Sequence, residues 1–438
     1  MDRIIQPRVL KGFRDFLPEA ELLRKHIQAI LEKTFRSYGF VPIDTPVLEY
    51  SEVLLGKGGG ETDKQVYTFS DHGNRNVAMR FDLTVPLARF MAEHFNELYL
   101  PFKRYHISKV WRGENTQQGR YREFTQCDFD IVGVDCFSAD FEILHLMYKC
   151  FRSLSLPRFS IRLSHRNVFN CFLQQLGAED KSQEILRTVD KISKIGEKAV
   201  REALEAITNG KIASSILDFI KPCDNFPDTL AKMKESVGGG CEGTERLEEI
   251  EGLINETELH DIYYLDPSIT RGLDYYTGIV FETYLEDVPE IGSICSGGRY
   301  NDLASLYTRE KLPGVGSSIG LDRLIAAMEK VGSMTSGERA TDIIIFCMEV
   351  KFMGYYHKIA DTIRNAGLSC EVYPFKRKLK SQFNFAEKKK IPFALICGEE
   401  ERERGTVTIK DLKERKSYEN LDLKGAIEKV ISLLKHQN

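Results

Sequence analysis

The strongest constraint on how this chain folds is an interruption. Strand-like, turn-rich sequence runs from about residue 65 to 135, helical periodicity takes over from about 168 to 262, and strand texture resumes at 262–305. The middle segment contains KSQEILRTVDKISKIGEKAVREALEAI and TERLEEIEGLINE, both with apolar residues at helical spacing and many i,i+4 charge pairs. GGG at 238–240 marks a loop between helical pieces. A sheet cannot continue through sequence of the wrong period, so the pattern predicts a helical insertion between two halves of one sheet domain.

The flanking elements fit that frame. Residues 20–37 read as a helix with Leu23, Ile27, Ile30, Leu31 and Phe35 on one face, leading into GFVPIDTPVLEY, a strand broken by Pro42 and Pro46. FKRYHISKVWRGEN and GRYREFTQCDFDIVG look like an antiparallel pair joined by a polar loop from Gly113 to Gly119. A helix at 138–154 and a strand in SLPRFSIRLSHRNVF follow, and GVGSSIGLDRLIAAMEK reads as a short strand entering a helix. After residues 332–337 strands at 342–348, 369–373, 392–397 and 406–410 alternate with helices at 354–366, 379–389 and 422–435. That order predicts a separate small α/β domain.

At 438 residues the chain is too long for a single core. Apolar content of 42% and charged content of 29% describe an ordinary soluble globular protein. A net charge of −4 excludes a whole-chain signature of polyanion binding, so any nucleic-acid site has to be local. The stretch Glu371–Lys390 is a local candidate, with seven Lys/Arg against two Glu and Tyr373, Phe375, Phe383 and Phe385 interleaved. That mixture suits single-stranded RNA, but a solvated helix face covering its own core explains it too and is favoured on this segment alone. Ten cysteines include no C-x-x-C pair, which disfavours a structural zinc, and their apolar contexts predict buried reduced thiols. No secretory h-region opens the chain and no apolar run approaches membrane-spanning length, so an intracellular, soluble protein is expected.

Several segments carry chemistry. Arg271-Gly-Leu-Asp-Tyr-Tyr-Thr-Gly278 joins a planar cationic fork to two tyrosines with polar tips on flat walls. Alone, it is equally a strand and turn with a surface arginine. Arg112 and Glu114 in VWRGEN follow a strand and sit two apart, which on extended backbone puts them on one face. The pair suits a phosphate clamp beside an acceptor for an amine. Arg323 in GLDRL stands near a helix start, where the dipole also favours anions. Three arginines brought together by separate segments suit a triphosphate. There is no Walker G-x-x-x-x-G-K-[ST], which excludes a P-loop, and GKGGGE at 56–61 reads as a flexible loop.

With these residues in hand the chain resembles the class II aminoacyl-tRNA synthetases and, within them, the histidyl-tRNA synthetases, of a eukaryotic-like type. The resemblance runs from about residue 8 to the C-terminus. GFVPIDTPVLEY is similar to the proline-bearing first class II motif, Lys103 to Gly133 to the second, and GVGSSIGLDRL to the third. RGLDYYTG and SGGRYNDL resemble the two peptides particular to the histidine enzymes. The resemblance implies an α+β fold: an antiparallel sheet flanked by helices, a helical insertion and a C-terminal α/β anticodon-binding domain. The segments would be a catalytic core at 1–167 and 263–332, the insertion at 168–262 and the anticodon-binding domain at 338–438.

The same resemblance implies roles. Arg112 would hold the ATP α-phosphate, Glu114 would read the adenine amino group, Phe124 would stack on adenine, and Arg323 would pair with the β/γ-phosphates. Arg271 would lie by the α-phosphate and the substrate carboxylate, where other class II enzymes use a metal ion, leaving Mg²⁺ on the β/γ-phosphates. The histidine pocket would use Asp82, Thr84, Gln126, Asp130, Tyr276 and Tyr300. Asp82 and Thr84 share a strand face in RFDLTVP, as do Gln126 and Asp130 in TQCDFD. Asp130 would accept the imidazole N–H and Tyr276 would meet the other ring nitrogen. Asn301 departs from the aspartate that often follows the tyrosine in the second peptide. The implied protein is a histidine–tRNA ligase, an isologous homodimer through residues 1–50 and neighbouring strands, with ATP, L-histidine and tRNA(His) as partners. It would be cytoplasmic, with room for an additional mitochondrial pool, and would have no membrane partner. A non-catalytic histidyl-synthetase-like regulatory subunit is the first alternative; such paralogues tend to lose the arginines or the C-terminal domain. A class II synthetase for threonine, proline or glycine is the second; those lack the Tyr-Tyr peptide.

Overall fold

The computed structural model describes residues 4–56, 63–117, 119–270, 275–333 and 339–435. Arg271 and its neighbours 272–274 lie outside the described residues. The chain divides into two compact units, residues 1–17 with 24–335 and residues 18–23 with 336–438.

Eleven strands are described in the first unit. They are β1 (Val41–Pro42), β2 (Leu48–Tyr50), β3 (Thr68–Ser70), β4 (Asn76–Met79), β5 (Phe102–Trp111) and β6 (Glu123–Val132), then β7 (Phe159–His165), β8 (Tyr263–Leu265), β9 (Ile279–Leu285), β10 (Cys295–Arg299) and β11 (Gly314–Gly320). Eight of them form one sheet in the order β1-β5-β6-β11-β10-β9-β7-β8, and β2-β4-β3 form a small one. The six inner strands of the large sheet are antiparallel, but β1 runs parallel to β5 and β8 parallel to β7. The sheet is therefore mixed at its edges. Parallel neighbours need a long crossover, and the helical segment supplies one between β7 and β8.

That segment contains helices Arg166–Gln175, Ser182–Val189, Ile192–Ile207, Gly210–Phe219, Phe226–Ser236 and Glu242–Glu256. Gly238, Gly239 and Gly240 all adopt positive φ, from 82 to 146°, and turn the chain between the last two. The insertion clusters with the sheet. Arg246 in its last helix bonds Asp140 at 3.1 Å and Asp135 at 2.9 Å, both outside the insertion.

The two faces of the large sheet differ, as strand alternation requires. On one face Phe129 and Ile131 of β6 are essentially inaccessible. Phe35 from helix Pro18–Ser37 lies 5.0 Å from the Phe129 ring, and helix Phe137–Ser153 buries Ile143, Leu144 and Met147. The opposite face is polar. One cross-strand row reads Arg104, Asp130, Gly316, Gly298, Val280; the next reads His106, Asp128, Ser318, Ser296, Glu282, Arg162. Antiparallel sheets commonly pack one face and leave the other for polar groups. Here the β5–β6 end of the polar face, with Arg104, His106, Asp128 and Asp130, is itself buried, while Ser296 and Arg162 farther along are exposed.

The second unit holds β12 (Ile343–Ile345), β13 (Cys370–Val372), β14 (Phe393–Ile396), β15 (Val407–Asp411) and β16 (Lys416–Leu421), in the order β13-β12-β14-β15-β16. β13, β12 and β14 are parallel and the last two strands antiparallel. Its helices are Met353–Asn365, Leu379–Lys388, Glu399–Arg404 and Leu423–Lys435. β16 and helix Glu399–Arg404 go beyond the sequence reading. Neither contains a buried residue, so neither carries an apolar period to read. In the basic stretch, Tyr373 is buried and Phe383 packs on Phe346 at 4.8 Å, whereas Phe375 and Phe385 are exposed beneath Arg377 and Lys389. Six of the ten cysteines are buried and all ten are free; Cys223 is exposed, against the expectation of buried thiols.

Candidate active site

The polar face owes its shape to missing side chains. A Cβ on Gly316 would stand 1.9 Å from Asp130 Oδ1, and one on Gly314 would stand 2.3 Å from the Tyr300 ring. Glycine is required where another group must lie directly on the strand. These glycines make a floor on which Asp130 and Tyr300 meet, with the Tyr300 hydroxyl donating to Asp130 Oδ1 at 2.5 Å. Asp130 Oδ2 lies 2.8 Å from Arg104 Nη2, an ion pair whose angle falls short of hydrogen-bond geometry. Arg104 is fully buried; Nη2 also donates to the Leu83 carbonyl at 3.3 Å, while Nε and Nη1 have no partner. Tyr275 sits between Tyr276 and Tyr300, with ring centroids 5.1 and 6.0 Å away.

Asp82 and Thr84 do not share a strand. The chain turns between β4 and helix Thr84–Glu93, and Asp82 Oδ1 accepts from the backbone N–H groups of Thr84 and Val85 at 3.2 and 2.9 Å. A carboxylate satisfies the otherwise unpaired donors of a helix start, which explains why extended alternation stops there. Burial pushes the Asp82 carboxyl up, opposed by the Val85 N–H and by Arg112. Gln126 is buried, donates to Ser318 Oγ at 2.7 Å and leaves Oε1 without a partner.

Arg112 and Glu114 lie just past the end of β5 in the loop, not on the strand. Arg112 donates from Nε to the Phe81 carbonyl at 3.1 Å, and its guanidinium lies 4.3 Å from the Phe81 ring centroid and 5.1 Å from that of Phe124. Desolvation lowers its pKa, partly offset by Asp82 and Glu114. Arg323, in the first turn of helix Leu321–Lys330, donates to the Ser293 carbonyl at 2.7 Å. Burial first, then the nearby Arg120 charge, pushes its pKa down to about 10, so a further anion there is welcome. Asp322 anchors this helix start: it accepts from Arg14, from Arg24 Nη1 at 2.7 Å and from the Thr125 N–H at 2.9 Å. Arg14 also stacks 3.8 Å from the Tyr121 ring, which braces the loop between β5 and β6.

The structure thus brings Asp82, Arg112, Gln126, Asp130, Tyr276, Tyr300 and Arg323 to one side of the sheet, with Thr84, Glu114 and Phe124 at its border; Arg271 lies outside the described residues. Asn301 donates to Asp135 at 2.7 Å and accepts from Arg299 at 3.2 Å, so it holds the strand end and not the pocket. Asp128 is missing from the sequence reading. It lies between Gln126 and Asp130 with the same alternation, so the period that singles out those two also covers it. It is 1% exposed, Oδ1 has no partner, and burial pushes its carboxyl up to about 7.

Residues 12–324 match the family profile described as Histidyl-tRNA synthetase, and residues 342–433 match that described as Anticodon binding domain. The chain is 49% identical over 444 residues to a histidine–tRNA ligase of Treponema denticola, covering 98% of this chain and 99% of that one. It is 44% identical over 423 residues to that of Rhodopirellula baltica, covering 95% and 96%. The crystal structure of histidyl-tRNA synthetase from Nostoc sp. PCC 7120 superimposes with a TM-score of 0.88 at 32% identity, covering 98% of this chain and all of that one. These relatives are bacterial, which leaves the expectation of a eukaryotic-like type unsupported. The central sheet, its flanking helices, the C-terminal domain and these likenesses agree: the chain belongs to the histidyl-tRNA synthetase family.

Proposed function

We propose that this chain is a histidine–tRNA ligase whose active site is the polar face of the eight-stranded sheet. The carrying observation is the adjacency of two chemically different halves. Asp128, Asp130, Gln126 and the tyrosines line a pocket of acceptors and hydroxyls, while Arg112 and Arg323, with Arg120 beside it, face a site for anions. Histidine and ATP together need both.

Arg112 holds the α-phosphate, with adenine stacked on Phe124 and its amino group read by Glu114; Arg323 takes the β/γ-phosphates. Arg271 completes the charge on the reacting phosphate. Asp82 and Thr84 receive the substrate ammonium, and Gln126, Asp130, Tyr276 and Tyr300 enclose the side chain. The histidine carboxylate attacks the α-phosphorus, pyrophosphate leaves, and charge building on the phosphate oxygens meets fixed cations, so positioning and electrostatics suffice without a protein nucleophile. The tRNA 3′-terminal hydroxyl then attacks the carbonyl and AMP leaves.

Among the described residues no three His, Cys, Asp or Glu side chains are placed to hold a metal. Mg²⁺ would be held mainly by the nucleotide phosphates, with Glu114 and Glu282 the carboxylates whose charge reaches Arg323. The small sheet exposes Leu48, Tyr50 and Phe69, and Val47 beside it is exposed too. Such a patch suits an isologous homodimer. In the C-terminal unit, exposed Phe375 and Phe385 under Arg377 and Lys389 suit unpaired bases of a tRNA loop. Among the described residues no helix is long and apolar enough to cross a membrane, and a cytoplasmic site of action fits translation.

The test is histidine-dependent ATP–pyrophosphate exchange. Exchange with histidine alone among the amino acids is expected. Activity with another amino acid instead would sink the assignment, and none with any would favour a binding-only protein. Arg271→Ala is expected to abolish adenylate formation while weakening histidine binding less; equal loss of both would place Arg271 in binding.

A further inference from the structure

We infer that the N-terminal segment Gly12–Phe16 is a strap that holds the two phosphate arginines at a fixed spacing, with Arg14 as its positioning residue, so that ATP affinity depends on a side chain acting through others. This rests on the reading of Arg112 and Arg323 as the nucleotide half of the site.

Arg112 and Arg323 come from different segments, so something has to fix one against the other. The loop between β5 and β6 carries Arg112 at its start and passes over the first turn of helix Leu321–Lys330, where a Cβ on Gly119 would stand 3.3 Å from Arg323 Cα. The strap fastens both partners. At one end the Gly12 carbonyl accepts from the Arg122 N–H at 2.9 Å, and the Arg122 carbonyl accepts from the Arg112 N–H at 2.9 Å. Arg122 Nε also donates to the Glu114 carbonyl at 3.2 Å. Gly12 has a φ of +88°, and a Cβ there would stand 2.7 Å from the Arg122 side chain, so glycine is required on both counts. At the other end Arg14 pairs with Asp322, the residue before Arg323. The same guanidinium lies 3.8 Å from the Tyr121 ring centroid and 4.5 Å from that of Phe16.

Asp322 does not need Arg14 to be satisfied. Its buried carboxylate already accepts from Arg24 Nη1 at 2.7 Å and from the Thr125 N–H at 2.9 Å, and Arg24 Nη2 donates to Thr125 Oγ1 at 2.8 Å. Arg24 is buried with them, whereas the Arg14 side chain is 34% exposed. What Arg14 adds is a link from that anchor to Tyr121 in the loop. Losing it leaves the buried charges of Asp322 and Arg24 paired and loosens the loop against the helix. Two arginines that must meet one chain of phosphates bind it well when their spacing is already set. When it is not, only the fraction of molecules with the loop in place binds ATP, and apparent affinity falls by that fraction. Histidine, on the glycine floor, does not depend on this link.

The test is histidine-dependent ATP–pyrophosphate exchange by the full-length protein, with KM measured separately for ATP and for histidine. Arg14→Ala should raise the KM for ATP about tenfold, the effect of one lost ion pair and one lost cation–π contact, and leave the KM for histidine nearly unchanged. Tyr121→Leu keeps the ion pair and removes the ring, and should shift the KM for ATP in the same direction. The double variant should be no worse than the more affected single one, because both changes break one link. An unchanged KM for ATP in either single variant overturns the inference, as do equal rises for ATP and histidine or fully additive effects in the double variant. A purely structural role for Arg14 would lower the unfolding midpoint and leave both KM values intact, which also overturns it. If Arg14→Ala does not fold, Tyr121→Leu alone decides. A wild type without histidine-dependent exchange would instead sink the reading of the site; the inference alone fails when the wild type exchanges normally and the variants keep its KM for ATP.

Discussion

The two sheets of this protein bury polar groups in opposite ways. The five-stranded sheet is built as a core: Ile343, Ile344, Ile345, Phe393, Ala394 and Leu395 are essentially inaccessible. Among the described residues of that unit, the one buried side-chain polar atom without a partner is Thr406 Oγ1. The eight-stranded sheet buries Arg104, Asp128, Asp130 and Gln126 on its polar face and leaves Arg104 Nε and Nη1, Asp128 Oδ1, Asp130 Oδ2 and Gln126 Oε1 without a hydrogen bond. Each such atom costs free energy for as long as it lacks a partner. A fold tolerates that cost where a ligand recovers it, so the contrast separates a sheet that carries a binding face from a sheet that serves as the core of its unit.

The sharpest way to break the contrast is to remove charge from the polar face. Arg112→Ala should lower the rate of adenylate formation by roughly 10²–10³-fold, the usual effect of losing one preorganised electrostatic group, with little change in the unfolding midpoint. A comparable loss of stability would make Arg112 a packing residue. Ile344→Ala should do the reverse. It should destabilise the C-terminal unit by about 2–5 kcal/mol and leave histidine-dependent exchange by the folded protein unchanged, as chemical denaturation and exchange on one preparation would reveal.

A smaller effect comes from pH. The Asp128 carboxyl is raised to about 7 from an ordinary 3.8 because burial disfavours its charge. Between those values the folded protein holds a proton that the unfolded chain releases. Its contribution therefore makes stability fall as pH rises through that window, by at most about 1.4 kcal/mol per pH unit. Asp128→Asn should flatten this slope and be relatively more stable at pH 8 than at pH 5. An identical slope in both proteins would mean that Asp128 is not desolvated. The smallest effect is expected in the second unit: Phe385→Ala should weaken tRNA charging by roughly tenfold, the value of one stacked base, without touching pyrophosphate exchange.

Much of this was legible before the structure, for reasons that also explain what was not. The hairpin of β5 and β6, the helical insertion and the C-terminal alternation all carry long, clean periods. The arginines stand out because they arrive from separate segments with peptide contexts around them. Spacing alone puts Asp82 and Thr84 on a common strand face and does not reveal a helix start; the backbone N–H groups that Asp82 caps are visible only in three dimensions. Asp128 escaped for another reason. An alternating strand lists every second residue, but it does not say which carboxylate already has partners across the sheet. Arg104 and Tyr300, distant in sequence, decide that. The polar edge strand β16 has no apolar period at all.

The most direct measurement is the structure of the protein with histidine bound. The imidazole should lie on the glycine floor of the polar face, between the β6 carboxylates and Tyr276, with the ammonium at Asp82. A histidine bound away from that face, or one that leaves the β6 carboxylates and Tyr276 untouched, would contradict this.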